Sequence, residues 1–187
     1  ECPAQLLRNL THFASRNAMD IDGLGPAVIQ QLVDSGLVRT AADLYSLRPE
    51  QIAELDRMGQ KSARNAVEAI ARSREDDLWR LIFALGIRQV GEKAAKVLAA
   101  RFGSMDALST ATEEELTAID DVGPITAKYI RQWMDSPQSQ DLLARLKAAG
   151  LNMTCKEEMV DRRFAGMTFV LTGALEQFTR DEAGEMI

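Results

Sequence analysis

Cysteine and histidine are scarce in this sequence, and so are long apolar runs. Among 187 residues there are two cysteines and one histidine. Cys2 and Cys155 stand 153 positions apart, so they build no disulfide framework, and a reducing compartment is expected. The lone His12 has no cysteine, histidine or carboxylate at ligand spacing, so it reads as a packed helical residue. The longest apolar stretch is Leu81–Ile87, far below the roughly 18 residues that a membrane span requires. No basic-then-apolar leader opens the chain, so a cytoplasmic location without membrane attachment is expected. With 46% hydrophobic residues, 12 glycines and 5 prolines, collagen-like, low-complexity and wholly disordered classes are excluded. The length suffices for one or two domains with real cores.

Charge of either sign is unevenly placed. The net charge of −6 comes from 22 basic and 28 acidic residues, a balance that at first disfavours a nucleic-acid partner. Residues 51–103, however, hold 10 basic against 7 acidic side chains, between flanks of −2 and −7. A basic middle between acidic flanks is compatible with a local anion-binding surface, and equally with a solvated helical face.

From Ala4 to about Ala149 the hydrophobic period is helical. Leu6, Leu7, Leu10, Phe13 and Ala14 form one stripe, Val28, Ile29, Leu32 and Val33 another, and Val67, Ile70 and Ala71 a third. Helix starts are marked at Thr40 before Ala41–Leu47, at Pro49, and at Thr112 with Glu115 as a capping box. Short loops containing glycine or proline separate these segments, which predicts an all-α domain. After Gly150 the pattern changes. Asn152–Arg163 is charged and irregular, like a linker, and Met167–Thr172 is short, apolar and β-branched, a strand signal ending at Gly173. Thr179 to Glu182 reads as a helix start.

The helical part contains an internal repeat. Ile21-Asp22-Gly23-Leu24-Gly25 is echoed by Leu55-Asp56-Arg57-Met58-Gly59, by Ile87-Arg88-Gln89-Val90-Gly91 and by Ile119-Asp120-Asp121-Val122-Gly123. The last glycine recurs at spacings of 34, 32 and 32. An apolar residue precedes it each time, and Ala63, Ala95 and Ala127 follow it by four residues. The pattern describes a helix that ends, a tight reversal, and a second helix opening at a residue without a Cβ. The first amides of that second helix lack acceptors and its dipole is positive outward, which makes a backbone anion site suited to phosphate. One such glycine alone would be an ordinary helix cap; four in register are not.

These repeats resemble helix-hairpin-helix motifs, which bind the DNA backbone independently of sequence. The wider chain resembles the C-terminal half of bacterial NAD-dependent DNA ligases. The resemblance rests on Cys2-Pro3, on His12 to Arg16, on Ala18 to Gly25, on Ala42 to Tyr45, on Met58 to Ala63 and on Ala84 to Arg88. It closes on Phe164 to Gly173, which looks like the first strand of a BRCT domain. The implied organisation is the end of a zinc finger over residues 1–11 and a helix-hairpin-helix domain with four hairpins over 12–150. A linker over 151–163 and an incomplete α/β BRCT domain over 164–187 follow.

The resemblance also implies a role. The family seals nicks in duplex DNA during replication and repair, using NAD and magnesium and an adenylated lysine in a Lys-x-Asp-Gly motif. No lysine here lies in such a motif. The implied part is therefore non-catalytic and not active alone, gripping nicked double-stranded DNA beside the upstream catalytic domains of the same bacterial, nucleoid-associated protein. It should bind no cofactor of its own. Cys2 matches the last of four zinc-finger cysteines and would be a zinc ligand only in the intact protein.

The candidate DNA-binding residues are Gly23 and Gly25 in the first hairpin and Arg57, Gly59, Lys61, Ser62 and Arg64 in the second. Arg88, Gly91, Lys93 and Lys96 follow in the third, and Gly123 and Lys128 in the fourth. The second and third hairpins combine glycine with nearby cations, whereas the fourth carries Asp120 and Asp121. Two other classes stay open from the residues themselves. One is a stand-alone helix-hairpin-helix subunit of a repair or junction-processing complex; the other is a helical protein-interaction domain.

Overall fold

The computed structural model describes residues 3–156. The zinc-ligand expectation for Cys2, the remainder of the expected linker and the BRCT-like segment lie outside the described residues. Within them the chain is helical throughout: α1 (Pro3–Ala14), α2 (Pro26–Asp34), α3 (Ala41–Leu44), α4 (Pro49–Ala53), α5 (Gln60–Ser73), α6 (Leu78–Ala84), α7 (Glu92–Phe102), α8 (Met105–Thr110), α9 (Glu113–Thr117), α10 (Pro124–Asp135) and α11 (Pro137–Ala148). This is the mainly α, four-hairpin architecture that the repeat predicts.

The four hairpins are α1–α2, α4–α5, α6–α7 and α9–α10, with α3 and α8 as short spacers. The order therefore duplicates as α1–α5 and α6–α10, and α11 closes the domain by packing on α10 and back on α3. A repeat that exposes an apolar face must stack on its neighbour to bury it. The residue four after each hairpin glycine carries that burial: Ile29, Ala63, Ala95 and Ala127 are wholly inaccessible. Leu24, Val90 and Val122 are buried beside them, and Met58 is half-buried.

Local signals placed most helix ends. Thr112 and Glu115 form the expected capping box, with Thr112 N donating to Glu115 Oε2 at 2.8 Å and Glu115 N to Thr112 Oγ1 at 3.2 Å. Helix α3 is shorter than the 41–47 span suggests. Pro49 disfavours helical backbone at Arg48, which is extended at φ −107°, ψ 150°, so the helix closes at Leu44 and restarts at Pro49. Helix α1 is continuous across positions 11 and 12, and Leu10 is as buried as Phe13.

Long-range polar contacts tie the two halves together. His12 Nε2 lies 2.8 Å from the carbonyl oxygen of Phe83, and its ring meets the Phe83 ring edge-on at 4.7 Å. A carbonyl only accepts, so Nε2 carries the proton. Arg80 donates to the carbonyls of Ala18 at 2.6 Å and Arg16 at 3.2 Å, bracing the first hairpin from α6. Arg74, at the end of α5, donates to Ala149 O at 2.9 Å and Tyr45 O at 3.1 Å. The start of the expected linker is also fastened down. Leu151 is buried, Asn152 N donates to Arg74 O, Met105 N to Met153 O, and Cys155 N to Gly103 O. Backbone pairing and an apolar anchor hold these residues to the domain despite their charged, irregular sequence.

Candidate nucleic-acid interface

Each hairpin turn has the same backbone. Leu24 N donates to Ile21 O, Met58 N to Leu55 O, Val90 N to Ile87 O and Val122 N to Ile119 O, closing four equivalent four-residue turns. The third residue of each is left-handed: Gly23 at φ +87°, Arg57 at +63°, Gln89 at +67° and Asp121 at +70°. Only the first hairpin uses glycine there, as the Gly-x-Gly spelling suggests. The other three hold an ordinary residue at a cost of about 1–2 kcal/mol each. At Gly23 a side chain has a further obstacle, since a Cβ would lie 3.2 Å from the Cβ of Ala66 on α5. That approach seats the first hairpin on the second.

The glycines that open the second helices are of another kind. Gly25, Gly59, Gly91 and Gly123 have φ between −98° and −69°, an extended conformation open to any residue. A Cβ built on any of them meets nothing within 4 Å. All four are exposed. Neither backbone strain nor internal packing calls for glycine at these positions.

The helices that these glycines open have no side-chain cap on their first amides, a feature they share with α11. Asp77 caps α6 by accepting from Trp79 N, Ser104 caps α8 from Ala107 N and Thr112 caps α9 from Glu115 N. Behind Gly59, the first helical bond is Ala63 N to Gly59 O at 2.9 Å, and Ala95 to Gly91 and Ala127 to Gly123 repeat it. The amides ahead of these bonds point outward together with the positive end of the helix dipole. Pro26 and Pro124 remove one such donor from the first and fourth hairpins, so the second and third present more of them.

The sequence-selected cations divide into two groups. Arg57, Lys61 and Arg64 of the second hairpin and Lys128 of α10 are exposed, with no ion pair or side-chain hydrogen bond among the described residues. Ser62 is exposed on the first turn of α5. Those of the third hairpin are engaged. Arg88 lies over the Tyr129 ring at 4.7 Å, Lys93 pairs with Asp121 at 2.9 Å, and Lys96 pairs with Glu92 at 2.7 Å while resting 4.4 Å from the Trp79 ring. Two of those contacts, from Arg88 and Lys93, bridge the third and fourth hairpins. In the other pair, Asp56 N donates to Gln31 Oε1 at 2.7 Å, joining the second hairpin to α2.

Sequence reasoning missed Tyr129 as the seat of Arg88, Arg80 as the brace of the first hairpin, and Asp121 as the partner of Lys93. No local pattern signals pairs separated by 28 to 64 positions. Trp79, Phe83 and Trp133 pack, partly buried, against the core. Among the described residues no group of three or more His, Cys, Asp or Glu is placed to hold a metal ion, and no helix is long and apolar enough to cross a membrane.

Four matched hairpins on a duplicated five-helix frame define a tandem helix-hairpin-helix domain. The family model described as a SAM-like helix-hairpin-helix tandem matches residues 15–72, and the one described as a helix-hairpin-helix motif matches residues 80–143. Over its whole length the chain is also similar to proteins named DNA ligase. It is 54% identical over 186 residues to the one from Trichlorobacter lovleyi, 53% over 190 to that of Marinobacter nauticus and 50% over 186 to that of Carboxydothermus hydrogenoformans. The chain is a relative of one segment of the DNA ligases, and the resemblance read from its motifs holds from end to end. It spans 27% to 28% of the length of these relatives.

Proposed function

We propose that this chain is the DNA-gripping, non-catalytic part of an NAD-dependent DNA ligase, holding nicked duplex while catalytic domains of the same protein seal it. The open, uncapped hairpin glycines are the observation that carries the reading. A residue that is glycine four times in register, yet meets no conformational or packing need, leaves room for something outside the chain to approach its backbone. A phosphodiester oxygen suits outward amides at a helix start.

The grip works through backbone donors first and cations second. Amides of the α5 and α7 first turns donate to phosphate oxygens without discriminating bases. Lys61, Arg57 and Arg64 add charge beside the second hairpin, where no acidic partner offsets them. Two pairs of hairpins can hold the strand on either side of a break, keeping its termini in line. None of these residues performs group transfer. NAD, magnesium and zinc belong, on this reading, to the intact enzyme.

Duplex titrations test this directly. Two unrelated duplexes should bind equally, with affinity falling as salt rises. Lys61→Ala should cost about 1–3 kcal/mol, the value of one charge-assisted phosphate contact. Binding that ignores salt, or a silent Lys61→Ala, would count against the proposal.

A further inference from the structure

Ile125 is the one large hydrophobic side chain left exposed among the described residues, at 70% of its surface. It stands two residues after Gly123 and is therefore the repeat equivalent of Lys61, two after Gly59, and Lys93, two after Gly91. The corresponding residue of the first hairpin is Ala27. The hairpin tips thus read Pro26-Ala27, Gln60-Lys61, Glu92-Lys93 and Pro124-Ile125. Outer hairpins carry proline and an aliphatic residue; inner hairpins carry a polar residue and lysine.

We infer that the fourth hairpin meets the deoxyribose face of the duplex backbone through Ile125, rather than a phosphate. The inference rests on the proposed DNA grip. Register puts Ile125 before the same ligand as the two lysines, and the contact between Lys93 and Asp121 places the third and fourth hairpins side by side. Two features beside Ile125 disfavour an anion: Pro124 has removed an amide, and Asp120 is an exposed carboxylate in the adjoining turn, next to Asp121, which is paired with Lys93. The apolar part of a nucleic-acid backbone is its sugar, and an uncharged aliphatic tip can bury against it where a phosphate would be repelled. Each hairpin pair then combines one cationic tip and one aliphatic tip, with Ile125 the larger of the two aliphatic contacts.

Salt dependence separates the two kinds of contact. A phosphate contact adds close to one unit to the slope of log affinity against log salt, and a sugar contact adds none. With the full chain and a nicked duplex, Ile125→Ser should weaken binding about 3- to 10-fold at every salt concentration with the slope unchanged. Ile125→Lys should steepen the slope by about one unit. Thermal melts of both variants should match the parent, since the residue is 70% exposed. The inference is overturned if Ile125→Ser binds as tightly as the parent while Lys61→Ala is weakened, an outcome that leaves the grip intact and points to a protein partner for Ile125. It is also overturned if the loss in Ile125→Ser comes with a changed slope. If Lys61→Ala and Ile125→Ser are both silent, the DNA grip itself fails along with it.

Discussion

Asp121 holds Lys93 across two hairpins, its carboxylate oxygens 2.9 and 3.0 Å from the ammonium nitrogen. The lysine side chain is 79% exposed and the aspartate 41%, so the pair contributes about 0.2–1 kcal/mol to stability. Its larger consequence lies in binding. An arriving phosphate must compete with a carboxylate already beside the lysine.

Lys93→Ala should therefore weaken duplex binding less than Lys61→Ala, whose ammonium has no such partner. Asp121→Asn should leave affinity unchanged or raise it. In the Asp121→Asn background the cost of Lys93→Ala should grow towards that of Lys61→Ala. A double-mutant cycle at two salt concentrations measures the coupling, and additive effects would show that the pair does not restrain the lysine.

The two kinds of hairpin glycine should separate stability from binding. Gly23→Ala combines a left-handed backbone with a Cβ contact of 3.2 Å to Ala66, and should destabilise the domain by about 1–3 kcal/mol in chemical denaturation. Gly59→Ser places a favourable cap residue in open space on an extended backbone. It should leave stability within about 0.5 kcal/mol and weaken duplex binding. A Gly59→Ser protein that binds DNA like the parent would show that close approach at this glycine is not needed.

Acid should reveal the fastening of α11. Burial disfavours ionisation of Asp43, but the amides of Arg39 and Thr40 and the Arg145 guanidinium outweigh it and hold its carboxyl below the usual value of 3.8. A carboxyl lowered in the folded state stabilises fully above its unfolded value, and that stabilisation disappears as pH falls through the folded one. Asp43→Asn should cost about 1–2 kcal/mol at neutral pH, with the difference closing below about pH 4. Melting curves of both proteins between pH 2 and 7 measure this; a gap that does not shrink as pH falls below about 4 would assign the effect to shape rather than charge.

Much of the architecture was legible because its causes are local. Apolar residues at helical period, Thr112 with Glu115, and prolines at first turns specify helices within a few residues of themselves. The hairpins were legible for the same reason, since a repeated glycine register reports a repeated turn. The turn's left-handed residue was harder to see. Arg57, Gln89 and Asp121 adopt the conformation of Gly23 without its spelling, because the half-buried Met58, the buried Val90 and Val122 and the following helices fix the backbone around them.

The sequence by itself determined that there are four hairpins, where their amides open, and which residues near them carry charge. The tertiary structure decided which charges remain available. Lys93, Lys96 and Arg88 looked equivalent to Lys61 and Arg64, yet each has a partner brought to it by folding: Asp121 lies 28 positions from Lys93, and Tyr129 lies on a different hairpin from Arg88. A Coulomb or ring contact depends on separation in space, and separation along the chain says little about that once helices stack.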